Sequence, residues 1–194
     1  MFVNSENKAV KLMDAEQITT LFARNKEVWG VHEFASCRFQ DLPFSEEVRK
    51  MCEMNSCGMY GKSWLCPPGC GPIEVWQKKL SAFSHFFLFS TVGRLEDSFD
   101  FEGMMAAKEH HEKTSAAILA ELRKQDPAVC ALSAGGCSKC TSCTYPDAPC
   151  RFEGKLFPSI EACGISVYEL TQKLGMKYIN GENTVTYFTL LLLP

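Results

Sequence analysis

The sequence predicts one α/β or α+β domain over residues 1–194, with a mixed sheet flanked by helices and two cysteine-rich, metal-binding loops at 52–72 and 135–152. Three observations predict it: apolar residues recur at helical spacing in several segments, aromatic and β-branched runs lie between them, and cysteines cluster among glycines and prolines. With 46% hydrophobic residues the chain can bury a core without disulfide staples. No repeat, low-complexity tract or linker divides it.

Residues 14–24 read as a short helix, capped by Asp14 with Gln17 three residues on, and with Ile18, Leu21 and Phe22 on one face. The next twenty residues carry no clear pattern. Ser45, followed by Glu46 and Glu47, opens a second helix with Cys52 near its end. Gly58, Gly61, Pro67, Pro68, Gly69, Gly71 and Pro72 then enforce irregular backbone. Beyond Pro72, placed for a first helical turn, Ile73, Trp76, Leu80 and Phe83 recur at helical spacing. Residues 86–92, without strict alternation, predict a strand covered on both faces. Gly103 to Lys124 reads as the longest helix, its core face formed by Met104, Ile118, Leu119 and Leu122, and Asp126-Pro127 stops it. A short strand is expected over 128–133. Ser166 and Glu169 form a capping box, Ile165 and Leu170 a hydrophobic staple, and Gly175 a left-handed stop. Residues 176–179 and 184–193 flank Asn180-Gly181 as a hairpin.

Charge and hydropathy narrow the function classes. Twenty basic and 23 acidic residues give a formal net charge of −3, which provides no broad field to hold nucleic acid. No apolar run approaches the ~20 residues of a spanning helix, so no membrane is expected as a partner. Residues 1–8 carry neither an apolar stretch nor a basic leader, and the expected compartment is the cytoplasm. Thiols stay reduced there, and eleven cysteines cannot all pair, so they read as ligands or redox groups.

The strongest motif is Cys137-x2-Cys140-x2-Cys143 with Cys150 seven residues later. Three thiolates at this spacing on a tight loop can occupy three corners of one iron–sulfur cube while backbone amides point at its sulfides, and a fourth cysteine can close the set. Bacterial ferredoxins end a similar run with C-x3-C-P, whereas here the gap is longer and Arg151 stands in place of the proline. Zinc is the rival, although four-cysteine zinc sites usually separate two C-x2-C pairs widely in sequence. The second set is Cys52, Cys57, Cys66 and Cys70. Its glycines permit close backbone approach and its prolines hold extended segments, as a metal-wrapping loop requires. Lys62 and Trp64 are placed to neutralise and shield a bound centre. The plain alternative is a rigid turn with Cys52 in the core.

Other residues read as structural. Cys37, Cys130 and Cys163 lie in apolar or strand-like contexts suited to buried free thiols, with Cys37 or Cys163 a candidate for a missing ligand. Within Glu109-His110-His111-Glu112 adjacent histidines point about 100° apart, so a solvated helix face is expected. His32 and His85 have no recognisable partner, and Gly135-Gly136 precedes a cysteine instead of opening a helix.

Taken together, the chain resembles an uncharacterised microbial family of predicted metal-binding, cysteine-rich, ferredoxin-like proteins, domain of unknown function 2284. The resemblance rests on Cys52, Cys57 and Tyr60-Gly61-Lys62-Ser63-Trp64 leading into Cys66-Pro67-Pro68, on Leu132-Ser133-Ala134-Gly135-Gly136 with Cys137 to Arg151, and on 158–162 before 164–167. It implies metal binding, with Cys52, Cys57 and Cys66 as one group and Cys137, Cys140, Cys143 and Cys150 as the other. The expected function is electron transfer, or redox support of an unidentified partner enzyme, through one or two [4Fe-4S] clusters. The alternatives are a zinc-stabilised binding module and a cluster-dependent enzyme of unknown reaction; the reading leans away from an enzyme.

Overall fold

The computed structural model describes residues 14–194; the reading of residues 1–8 lies outside them. Helix α1 (Ala15–Trp29) starts on Asp14, whose carboxylate accepts the Gln17 amide at 2.8 Å while the Gln17 side chain accepts the Asp14 amide at 3.2 Å. It runs past the expected end at 24 to Gly30, which stops it at φ 64°. Strand β1 (Glu33–Cys37) follows, in a stretch where the sequence shows no clear pattern. After a 3-10 turn at Phe39–Asp41 come α2 (Glu46–Glu53) and α3 (Ile73–Leu80), the latter with Pro72 at the N-cap, one place earlier than expected.

Strands β2 (His85–Arg94) and β4 (Thr184–Leu193) form the centre of a four-stranded sheet ordered β1-β2-β4-β3, with β3 the short Cys130–Leu132. Every strand pair is antiparallel, so the fold is α+β, and the expected mixed sheet is corrected. Residues 176–179 form no strand either. The Lys177 amide donates to the Glu33 carboxylate at 2.7 Å, and Asn180 bonds to the side chains of His32 and Thr186, so side-chain contacts hold this segment where a strand ladder was expected.

The central strands are buried on both faces, and their alternation sorts the core into two halves. Phe86, Leu88, Leu190 and Leu192 face one cluster with Trp76 and Leu80 of α3, while Val167 and Leu170 join from α5 (Val167–Leu174). Phe87, Phe89, Leu191 and Leu193 face the other, with Ile18 and Phe22 of α1 and Ile118 and Leu122 of α4 (Phe101–Arg123). Each such side chain contributes about 1.5–3 kcal/mol by leaving water. Helix α5 keeps its expected ends: the Ser166 hydroxyl accepts the Glu169 amide, and Gly175 adopts φ 67°.

His111 departs from the expected solvated face. It is 1% exposed, its Nδ1 lies 2.9 Å from the Thr91 hydroxyl and its Nε2 2.9 Å from that of Thr189. Strand β2 and strand β4 each present one hydroxyl to this face of α4, so a polar network replaces an apolar contact. His110, one residue earlier, is exposed as expected.

Candidate metal centre

Helix α2 delivers Cys52 on its last turn, after which Asn55, Gly58 and Gly61 take left-handed geometry at φ 55°, 71° and 67° and wind the chain back toward the body. Cys57 is exposed, Cys52 half-buried, and Cys66 and Cys70 buried. Burial pushes the Cys52 thiol above its ordinary range; Arg49 opposes this, and Cys57 and Cys66 add to it. Burial likewise raises Cys66, against the Ser63 hydroxyl and the Cys137 backbone amide, while Cys70 and Cys57 add to the rise. Thus Cys52, Cys57 and Cys66 lie within electrostatic reach of one another. Without a cation Cys52 and Cys66 stay protonated, and a metal ion would displace those protons.

The second loop leaves β3 through Gly135 at φ 73°. Cys137, Cys140, Cys143 and Cys150 all line one cavity of about 220 Å³. Two contacts fold the loop on itself: an Arg151 guanidinium nitrogen donates to the Ser142 carbonyl at 2.9 Å, and the Thr144 hydroxyl donates to the Pro149 carbonyl at 2.9 Å. The Phe152 amide donates to the Cys150 sulfur at 3.4 Å, the kind of contact that stabilises a thiolate.

The two cysteine loops form one composite unit. Met59, Lys62, Ser63, Trp64 and Leu65 of the first loop complete the walls of the cavity whose cysteines come from the second. The Trp64 indole donates to the Ala148 carbonyl at 2.9 Å, and its ring meets Tyr145 edge-on at 4.9 Å between centroids. Two glycines mark the closest approaches. A Cβ on Gly136 would lie 2.8 Å from the Met59 side chain, and one on Gly69 would lie 2.6 Å from the Ser63 carbonyl and 2.8 Å from the Tyr145 ring.

Among the described residues no three His, Cys, Asp or Glu side chains converge tightly enough to hold a single metal ion. All eleven cysteines are free thiols. The four cysteines of the second loop share a cavity without closing on a point. Cys70 has other company: its sulfur lies 3.4 Å from an Arg49 guanidinium nitrogen and 3.4 Å from the Ala162 carbonyl. Cys163 is fully buried beside it, and Cys37 is 5% exposed, with its thiol pushed up to about 12 by burial and by Asp41. Cys130, on β3, is half-buried and donates to the Ala128 carbonyl at 3.2 Å. The donor set fits a sulfur-ligated centre, since soft thiolates select zinc, copper(I) or iron–sulfur clusters over hard cations.

Arg49 is the residue the sequence reading missed. It donates to the carbonyls of Ala162 at 2.5 Å and Gly71 at 2.7 Å, as well as to Cys70, and so ties α2, the end of the first loop and the Glu161–Cys163 turn together. In sequence it stands among the polar residues of a short helix and gives no signal.

No helix is long and apolar enough to cross a membrane, among the described residues. A family model described as "Predicted metal-binding protein (DUF2284)" matches residues 36–193, from the last two residues of β1 to the end of β4. Comparison with curated proteins and with solved structures yields no match.

Proposed function

This chain belongs to that family of predicted metal-binding proteins, and on that premise we propose that it holds an iron–sulfur cluster on Cys137, Cys140, Cys143 and Cys150 and passes single electrons to a partner protein. The observation that carries the reading is the shared cavity of about 220 Å³ among these four thiols. A lone zinc ion needs all four sulfurs within about 2.3 Å of one point, whereas a polynuclear centre is served by thiols ringed around a larger space. A bound cluster would supply one-electron chemistry. The chain's part is to donate the Phe152 amide to the Cys150 sulfur, to screen the centre with Trp64 and Leu65, and to place Lys62 and Arg151 beside its negative charge. Cys52, Cys57 and Cys66 form the second candidate group, adjoining the first through the Cys137 amide; Cys70 stays a candidate for its fourth corner.

Anaerobic purification with counting of iron, acid-labile sulfide and zinc tests this. Iron with matching sulfide, and loss of the brown absorption in Cys140→Ser but not in Cys130→Ser, is the expected result. Stoichiometric zinc alone, refractory to cluster reconstitution, would favour the zinc-stabilised binding module and overturn the reading.

A further inference from the structure

We propose that the cavity beneath the Gly135-Gly136 turn binds a small organic anion carrying two or more acidic groups. This cavity, about 270 Å³, lies between α4, the end of β3 and the loop that carries Cys137. Its floor is polar and buried: Thr189 is 0% and His111 1% exposed, and the Ser115 hydroxyl stands 2.9 Å from that of Thr189. Around it stand Arg123, Lys139 and Lys155 against one carboxylate, Glu112, which already faces Lys108 at 3.7 Å. No ion pair engages Arg123, Lys139 or Lys155 among the described residues.

Three uncompensated cations around a concave surface, on a chain whose formal net charge is −3, make this a local positive site. The Arg123 Nε donates to the Val129 carbonyl at 2.8 Å and the guanidinium also bonds to the Cys130 side chain, which together fix this cation at the edge of the cavity, where it can pair with a carboxylate or phosphate. The Ser115 hydroxyl, at the outer end of the His111–Thr189–Ser115 chain, can donate to an anion's oxygen. Since water occupies about 30 Å³ in the liquid, the volume admits a di- or tricarboxylate or a phosphate ester. Cys137 lines the same cavity, so the anion would sit beside the candidate metal centre, but the cations that bind it are independent of that centre.

Isothermal titration of the purified full chain with citrate and with pyrophosphate, against sodium chloride of equal ionic strength, tests the proposal. Saturable one-to-one binding of either anion is expected; citrate alone assigns the site to carboxylates, and pyrophosphate alone to phosphates. The double variant Lys139→Gln, Lys155→Gln should weaken binding at least tenfold, with metal content measured alongside so that loss of anion binding is read separately from loss of metal. Ser115→Leu, which fills the floor and leaves surface charge unchanged, should abolish binding in a folded chain. Absence of saturable heat with both anions, undiminished affinity in the double variant, or undiminished affinity in a folded Ser115→Leu chain would each overturn the proposal.

Discussion

The Trp64 indole, from the first cysteine loop, donates to the carbonyl of Ala148 in the second at 2.9 Å. Two segments more than eighty residues apart are thereby held edge to edge around one thiol-lined cavity. Trp64→Phe keeps an aromatic ring against Tyr145 but removes the donor and part of the indole's contact area, so the loss should be at least the ~1 kcal/mol of a single net hydrogen bond. The fold should survive, while metal bound by the cysteine loops should transfer to a chelator severalfold faster, as read from absorbance.

Arg49→Met leaves the carbonyls of Gly71 and Ala162 with only the weak Cys70 thiol to share as a donor and detaches α2 from the Glu161–Cys163 turn. Each unsatisfied buried group costs about 1–3 kcal/mol, so a loss of about 2–4 kcal/mol is expected in denaturant melts. Arg49→Lys should recover only part of it, because an ammonium cannot reach two carbonyls and a sulfur with a planar fork. Full recovery by lysine would mean that charge, not geometry, matters at this position.

His111 carries a pH dependence of known sign. Burial in the Thr91 and Thr189 network holds its pKa down at about 4 from an ordinary 6.5, with His110 acting in the same direction and the Phe188 backbone against it. The unfolded chain takes up this proton first as pH falls, so the stabilisation is present above about 6.5 and is lost between 6.5 and 4. At 1.36 kcal/mol per pKa unit the full effect is about 3 kcal/mol. In denaturant melts from pH 7 to 5, His111→Gln should flatten this slope relative to the parent chain, with metal content matched between the two. Parallel slopes would show that His111 does not titrate in this window.

Gly93, near the end of β2, faces α4 so closely that a Cβ there would lie 2.3 Å from the Ala107 Cβ and 3.3 Å from Val185. Gly93→Ala must push α4 off the sheet, at a cost of about 1–3 kcal/mol for overpacking. A fall in melting temperature is expected, with Gly181→Ala at the exposed turn as a comparison that meets no neighbour, although its φ of 108° carries its own backbone strain. If Gly93→Ala melts with the parent, the α4 contact is looser than described.

The amino-acid order determined the local features by itself. The capping box at Asp14, the Ser166 cap on the Glu169 amide, the strand through Phe86 to Val92, the longest helix and the C-x2-C-x2-C run all follow from spacings within a few residues, where steric and hydrogen-bonding preferences act without distant partners. The reciprocal half of the box expected at Ser166 does not form, because its amide donates to the Pro43 carbonyl. Only the tertiary structure decided the rest. It made the sheet wholly antiparallel and left residues 176–179 out of it, because Lys177 is held by the Glu33 carboxylate and Asn180 by the side chains of His32 and Thr186. It turned His111 inward onto two threonines and made Arg49 a three-way clamp. It also joined the two cysteine loops, through Trp64 with Ala148 and Met59 with Gly136, since such contacts depend on where α2 and β3 end in space and not on the residues beside them in the chain.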